Sequence, residues 1–212
     1  MFGILWGEAM SIQTIKIQTS GYIHCKSCFY ATCDMLNDFN TYEFSKGINQ
    51  LEGEIDSGVW AISYLISMYP YDTKNCVIFP PTTIQMNGTD CPLSQLCKYS
   101  CYMDPVHPLF SSKKTMHRLI SKGIAHNQNI ESVEMIREMF CIGRERFERP
   151  LSGVGNERFR CMAAIGYVYD KDIFCFPWLS RMRFDYYHRN LTDVLQILKD
   201  RQKTILLPIG KG

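Results

Sequence analysis

The chain of 212 residues is predicted to be an α/β protein that forms one mixed-sheet domain over residues 1–212. Three observations lead to this class. Strand-like patterns dominate the first part of the chain, helical spacing of apolar residues dominates the middle, and a β-α-β order returns at the end. The sequence shows no internal repeat, low-complexity segment or linker that would divide it.

The N-terminal part is predicted to be rich in antiparallel strands. The expected strands are an edge strand at 12–17, a strand-rich stretch at 22–33 and a short buried strand at 48–51. Residues 42–44 lead to a turn at Lys46-Gly47 before the last of these. Gly53 and Gly58 follow the last of these, and Ile62, Leu65 and Ile66 then recur at helical spacing. This segment is therefore predicted to be strand, glycine loop and helix.

The middle of the chain is predicted to change from strand to helix. A strand at 76–79 is closed by Pro80-Pro81, and 84–86 forms one arm of a hairpin before Asn87-Gly88. Two amphipathic helices follow at 113–124 and 129–140, and they define a helical insert over about 113–148. The remaining elements are predicted as a helix at 156–167, a strand at 173–176, a helix at 191–198 and a strand at 204–207.

The composition is that of a folded globular protein, with 46% hydrophobic and 21% charged residues. A net charge of +2 is too small to favour nucleic acid or a membrane surface as the partner. The segment 1–10 lacks a basic region and a cleavage site, and Met10 is a second candidate for the initiating residue. We therefore expect a cytoplasmic protein whose ten cysteines are mostly buried thiols, and whose membrane contact, where there is one, goes through a partner.

The glycine loop has the spacing of a phosphate-binding loop between a strand and a helix. Backbone N–H groups of such a loop turn inward around phosphate oxygens, and the following helix adds a partial positive charge. The candidate nucleotide-binding residues are Gly53, Asp56, Ser57, Gly58, Val59 and Trp60. Val59 and Trp60 stand where a working loop has a lysine for the phosphates and a serine or threonine for Mg²⁺. The alternative for the two glycines alone is a tight turn that binds no ligand.

A second cluster, Leu151-Ser152-Gly153-Val154-Gly155, opens a predicted helix and is followed by the strand at 173–176. This order resembles the core of ATP-binding-cassette (ABC) ATPases, in which an LSGGQ-like signature opens a helix and an apolar strand ends in the Walker B acids. The resemblance covers about 42–210. It places Asp104 where the family has the glutamine of its Q-loop, and it assigns Ser152 and Gly153 to the signature that meets a partner subunit's nucleotide.

The same resemblance implies that this chain has lost the catalytic residues of the family. Pro177 and Trp178 follow the strand that should end in the Walker B acids, and the position of the switch histidine falls on or near Gly210. Phosphoryl transfer depends on positioning and on neutralising charge, so loss of the lysine, the Mg²⁺ ligands and the histidine leaves little to work with. We expect no catalytic residue and no metal-binding residue of its own.

Three other candidate sites carry less weight. Cys25, Cys28 and Cys33 have a spacing that suits Zn²⁺ or an iron–sulfur cluster, although a fourth ligand is not evident. His107 lies between two prolines and reads as a loop residue rather than a catalytic base. The basic and aromatic stretch 181–189 suits a solvated face or a partner-binding surface better than nucleic acid.

These observations predict a P-loop NTPase-like, ABC ATPase-like fold with an antiparallel N-terminal part and a helical insert. The predicted function is that of a degenerate ABC-type ATP-binding subunit, which holds Mg-ATP weakly or not at all in its own loop. Its expected partners are a second ABC ATPase subunit, in a homo- or heterodimer, and a transmembrane permease, with no nucleic acid. The alternative is an interaction or regulatory protein that keeps this fold and binds no nucleotide.

Overall fold

The computed structural model describes residues 11–28, 31–36, 40–54, 57–58, 60–110, 113–127 and 132–211, with the backbone alone at 31–35. The strands are β1 (Thr14–Lys26), β2 (Ala31–Leu36), β3 (Thr41–Ser45), β4 (Gly47–Glu52), β5 (Cys76–Met86), β6 (Thr89–Asp90), β7 (Ser100–Tyr102), β8 (Ile173–Cys175) and β9 (Thr204–Ile209). The α-helices are α1 (Ala61–Met68), α2 (Leu93–Leu96), α3 (Met116–Ile124), α4 (Val133–Met139), α5 (Arg144–Phe147), α6 (Arg158–Val168) and α7 (Arg181–Asp200). Short 3₁₀ turns lie at Cys97–Tyr99, Leu151–Gly153 and Gly155–Glu157.

The strands form two sheets rather than the single mixed sheet expected from the sequence. The first sheet is antiparallel and has the order β2-β1-β5-β6, with β3 also paired to β1. The second is parallel and has the order β4-β9-β8-β7. The α/β class is thus confirmed. The N-terminal part is antiparallel except for β4, which was predicted to be a buried strand and instead pairs in parallel with β9 at the edge of the second sheet, where Ile48 is 42% exposed.

The first strand lies at the centre of the antiparallel sheet, so its prediction as an edge strand was wrong. Its first half pairs with β3 and its second half with β2 along one side, while β5 pairs with both halves along the other side. At thirteen residues β1 is long enough to hold three partners, because it runs on into the stretch that the sequence suggested as a separate strand. Gly21 is required there, since an added Cβ would lie 2.2 Å from the carbonyl oxygen of Val77.

The fifth strand runs through the two prolines that were expected to close it. Pro80, Pro81 and Thr82 lie opposite the single residue Thr19 of β1, so they form a bulge in the ladder. A bulge tolerates proline because the missing N–H groups would have no ladder partner there. The predicted hairpin at Asn87-Gly88 is confirmed, since both residues have positive φ angles, 53° and 76°.

The parallel sheet separates two hydrophobic cores. Cys101, Phe174, Ile205 and Leu207 face the first core, which includes residues of α3, α4, α6 and α7. Tyr102, Ile173, Cys175 and Leu206 face the second core, which also contains α1 and the inner face of the antiparallel sheet. Because α1 lies between the two sheets, every residue from Ala61 to Met68 is buried.

The helical insert is present with shorter helices than predicted. Thr115 caps α3 by accepting the N–H of Arg118, and Ser132 caps α4 by accepting the N–H of Met135. Residues 129–131, where the second helix was predicted to begin, lie outside the described residues. The helix α5 and the short α2 have no counterpart in the sequence-based assignment, because each has only four residues.

The largest difference concerns α7, which has twenty residues instead of the eight predicted. Its extra N-terminal turns are the basic and aromatic stretch, capped by Ser180, whose side chain accepts the N–H of Arg183. Phe184 and Tyr187 are partly buried against the first core and continue the helical spacing of Leu191. The serine cap and this spacing were the signals that could have located the true start of the helix.

A glycine in α6 is predicted to set the distance between this helix and the parallel sheet. An added Cβ at Gly166 would lie 2.7 Å from Cε1 of Phe174 and 3.0 Å from Sγ of Cys101. We expect Gly166→Ala to lower the free energy of unfolding by about 1–3 kcal/mol, because the packed core cannot yield without strain. Urea denaturation measures this change. Gly153→Ala is the control, since its Cβ would lie 3.6 Å from the nearest atom; equal effects of the two substitutions would contradict the prediction.

Candidate functional site

The candidate site lies where β4, β8 and β9 end, at one edge of the parallel sheet. Gly53 follows β4 and donates its N–H to the carbonyl of Ile209 at the end of β9, at 3.0 Å. Trp178 follows β8, and its indole Nε1 donates to the carbonyl oxygen of Gly53 at 2.9 Å. An added Cβ at Gly210 would lie 3.0 Å from Cζ2 of Trp178. Three positions that the sequence assigned to separate motifs therefore meet around one indole ring.

The described part of the glycine loop is folded upon itself. Ser57 donates both its N–H and its hydroxyl to the carbonyl oxygen of Glu54, at 3.1 and 2.7 Å. Gly58 has a positive φ of 76° and accepts the N–H of Ala61, so the chain turns sharply into α1. The candidate residues Asp56 and Val59 lie outside the described residues. Both donors of Ser57 are thus used inside the loop.

Trp60, the last loop candidate, is a core residue. Its side chain is 1% exposed and belongs to the second hydrophobic core, immediately before the first residue of α1. The resemblance assigns this position to a hydroxyl that holds Mg²⁺, whereas the buried indole of Trp60 packs the start of the helix. The sequence did not indicate Ser63, whose hydroxyl donates to the carbonyl oxygen of Phe176 at 2.7 Å and joins α1 to the end of β8.

The residues that the resemblance places around Mg-ATP do not fit that ligand. Pro177 is buried and Trp178 is half-buried after β8, and Gly210 follows β9. These positions offer neither a carboxylate for the metal nor an imidazole for the phosphate. Together with Trp60, these residues supply aromatic rings and backbone atoms to this edge of the sheet.

The second candidate cluster lies on the helical side of the molecule. Ser152 is exposed and Gly153 is half-buried in the 3₁₀ turn Leu151–Gly153, which is close to Arg149 and Pro150. A second 3₁₀ turn follows, and α6 then begins at Arg158 instead of directly after the signature-like residues. The exposed hydroxyl of Ser152 is available to another molecule.

Asp104, which the resemblance placed at the glutamine of the Q-loop, is a fully buried carboxylate whose partners join two segments of the chain. It accepts the hydroxyl of Ser27 at 2.8 Å, the N–H of Cys28 at 2.9 Å and the N–H of Val106 at 3.0 Å. The loop after β7 is thereby tied to the turn after β1. Charged hydrogen bonds of this kind are stronger than neutral ones, so the attachment is firm.

The cysteine cluster proposed from the sequence is spread over different surroundings. Cys25 is buried in the second core, Cys28 is exposed, and the side chain of Cys33 is not described. Although the residue is exposed overall, its sulfur is partly shielded from water, and this desolvation and the nearby Asp104 raise the pKa of the Cys28 thiol to about 12, while Arg158 donates to the sulfur at 3.2 Å. Within the described side chains, no group of three or more His, Cys, Asp or Glu residues is placed to hold a metal ion.

Comparisons with known proteins bear on this fold. No protein-family model matches the sequence, and no curated protein matches it. Among solved structures, a putative ABC transporter ATP-binding protein from Pyrococcus furiosus is similar over 94% of this chain and 92% of its own, with a TM-score of 0.60 and 14% identity. A bacterial Atm1-family ABC exporter with ATP bound is similar over all of this chain and 37% of its own, with a TM-score of 0.57 and 12% identity.

The fold of this chain is similar to that of ABC ATP-binding proteins. At these identities the likeness concerns the fold alone. In the described part of the chain, no helix has both the length and the apolar character needed to cross a membrane.

The environment of His107 changes the pKa of its imidazole. It is 1% exposed, its Nδ1 accepts the N–H of Leu109, and its ring contacts Tyr71 and Phe110. Burial, with a smaller effect of the positive charge of Lys171, lowers the pKa of its imidazole from 6.5 to about 3. It is therefore neutral in the folded protein at neutral pH, which suits a loop residue.

Acid is predicted to destabilise the fold through His107. The unfolded chain takes up a proton below pH 6.5, whereas the folded chain does so only near pH 3, so the free energy of unfolding falls between these values. The loss from this group is about 2 kcal/mol between pH 7 and pH 5. Urea denaturation of His107→Phe should show a correspondingly smaller loss than wild type. The exposed His126→Gln serves as the control, and equal pH slopes for wild type and His107→Phe would refute the prediction.

Proposed function

We propose that this chain is a non-catalytic, ABC-type subunit that does not hydrolyse ATP in its own loop and works beside a catalytic subunit. The observation that carries the proposal is the hydrogen bond from the indole of Trp178 to the carbonyl of Gly53. The ring fills the edge of the sheet where a Mg²⁺-binding carboxylate and an attacking water would otherwise stand. Trp60 adds to this, because it offers a buried ring where Mg²⁺ needs a hydroxyl.

The signature-like turn supports the partner role. Ser152 is exposed at the surface and Gly153 leaves room beside it. In the proposed complex these two residues face the loop of the partner, whose own lysine and acids hold Mg-ATP. Each complex of the two subunits then has one site that can hydrolyse ATP. The same proposal places the helical insert, residues 113–148, against a transmembrane partner, so that the chain lies at the cytoplasmic side of a membrane without entering it.

An ATPase assay of the mixed complex tests the proposal. The chain alone should have no ATPase activity, and its complex with a candidate catalytic ABC subunit should be active. Ser152→Arg should reduce the activity of the complex about tenfold or more, because a bulky side chain would remove a contact to the nucleotide. The control is Ser94→Arg, which also changes an exposed serine. Full activity of the Ser152→Arg complex, or ATPase activity of the chain alone, would overturn the proposal.

A second candidate function is that of an interaction or regulatory protein that binds no nucleotide in any complex. The self-bonded loop favours it, because both donors of Ser57 are already used by Glu54. Thermal unfolding with Mg-ATP separates the two candidates, since a ligand that binds the folded state raises the midpoint. A rise for the mixed complex that Ser152→Arg removes supports the partner role. No rise for the chain or the complex supports the regulatory role.

A further inference from the structure

A cationic cleft lies at the start of the helical insert. None of the candidate nucleotide-binding residues belongs to its described lining. The cleft has a volume of about 580 Å³ and is lined by Lys113, Lys114, Thr115, His117, Arg118 and Glu148. Three of these side chains carry a full positive charge and one carries a negative charge. The chain as a whole has a net charge of only +2, so positive charge is concentrated at this place.

The walls of the cleft are held by contacts between α3 and the segment after α5. Met116 donates its N–H to the carbonyl of Arg149 at 2.9 Å, and Thr115 forms a β-bridge with Pro150. The ring of His117 stacks on Phe147 with a centroid distance of 5.7 Å. A cleft built between two anchored segments is present before a ligand arrives, which lowers the cost of binding.

The charges of the cleft are only partly compensated. Glu148, the acidic residue of the lining, lies 3.4 Å from Nδ1 of His117. Within the described part of the chain, Lys113 and Arg118 form no ion pair. Both side chains are exposed, so their charges face outward and are available to a ligand.

We propose that this cleft binds an acidic segment of a partner protein. Lysine and arginine recognise carboxylates by charge and by charge-assisted hydrogen bonds, and a guanidinium can hold a carboxylate in a bidentate manner. A protein segment fits better than a nucleic-acid strand, because bases need aromatic rings on which to stack, and among the described lining residues the one ring, that of His117, already stacks on Phe147. The inference rests on the proposed function, in that the insert meets a partner, and it names the chemistry of the partner segment.

Fluorescence anisotropy with the full chain and a labelled oligoglutamate peptide tests this inference. The peptide should bind, an oligoglutamine peptide of the same length should not, and binding should weaken as salt is raised. The variant Lys113→Glu with Arg118→Glu should bind the peptide about tenfold more weakly or worse, because two attractive charges become repulsive. Lys114 is left unchanged because it has another contact in the protein.

The control is Lys74→Glu with Lys98→Glu, which reverses two exposed charges outside the cleft and changes the net charge equally. Circular dichroism and thermal unfolding establish that both variants fold. Equal binding by wild type and the cleft variant, or equal loss in both variants, would overturn the inference. Tighter binding of a single-stranded oligonucleotide of the same charge at the same residues would also overturn it, in favour of nucleic acid. The assay contains no nucleotide and no second subunit, so its failure is distinct from failure of the ATPase experiment.

Discussion

The register of the parallel sheet is the constraint on which the candidate site depends. Because β4, β8 and β9 run in the same direction and are aligned, the residues that follow them must share one small volume. Trp178 places its indole there, and the N–H of the ring is satisfied by the carbonyl of Gly53. Gly210 must then remain small, because even a Cβ would approach the ring to 3.0 Å. The tryptophan and the glycine are thus coupled: a histidine at 210 and an indole at 178 would compete for the same space.

In the loop before α1, too, a buried aromatic side chain, that of Trp60, contributes to core packing. Burial of a large aromatic side chain such as Trp60 contributes roughly 2–3 kcal/mol of hydrophobic stabilisation, which a hydroxyl at this position would not provide. The helix that follows is buried on all sides between the two sheets. Two serines fit there because their hydroxyls are hydrogen-bonded. Ser63 donates to the carbonyl oxygen of Phe176, and Ser67 donates to the carbonyl oxygen of Ser63. The start of α1 is therefore fixed by internal contacts, without the help that a bound phosphate gives to a working loop.

The sequence was sufficient for the order of the main elements and insufficient for the pairing of the strands. Local spacing located the strand before Gly53, the hairpin at Asn87-Gly88 and the last β-α-β unit, since these follow from turn chemistry and periodicity. It could not assign β1 to the centre of a sheet, because the number of partners of a strand depends on contacts distant in sequence. Local spacing also failed to locate the first half of α7. The arginines among its first residues weaken the apolar periodicity that Phe184 and Tyr187 contribute.

Some features of the candidate site, too, could be predicted from the sequence, and others could not. That Gly53, Trp178 and Gly210 lie at strand ends could be expected from the resemblance, but the direct hydrogen bond from the indole could not. Asp104 was identified by its place in a motif, whereas its two donors from the distant turn after β1, Ser27 and Cys28, became evident only in the fold. Asp56 and Val59 lie outside the described residues, so their roles stay predictions. Polar partners that join separate loops have no periodic signal in a sequence, which is why they were missed.

Asp104 also explains how the helical insert is held against the rest of the molecule. The loop after β7 leads into the insert, and the buried carboxylate fastens that loop to the turn after β1. The same turn is joined to α6 and α7, because Arg158 donates to the sulfur of Cys28 and to the hydroxyl of Tyr187, each at 3.2 Å. Opening this network would leave a buried carboxylate without donors, at a cost of about 1–3 kcal/mol or more for a charged group. The insert and its cationic cleft are therefore positioned by contacts within the chain.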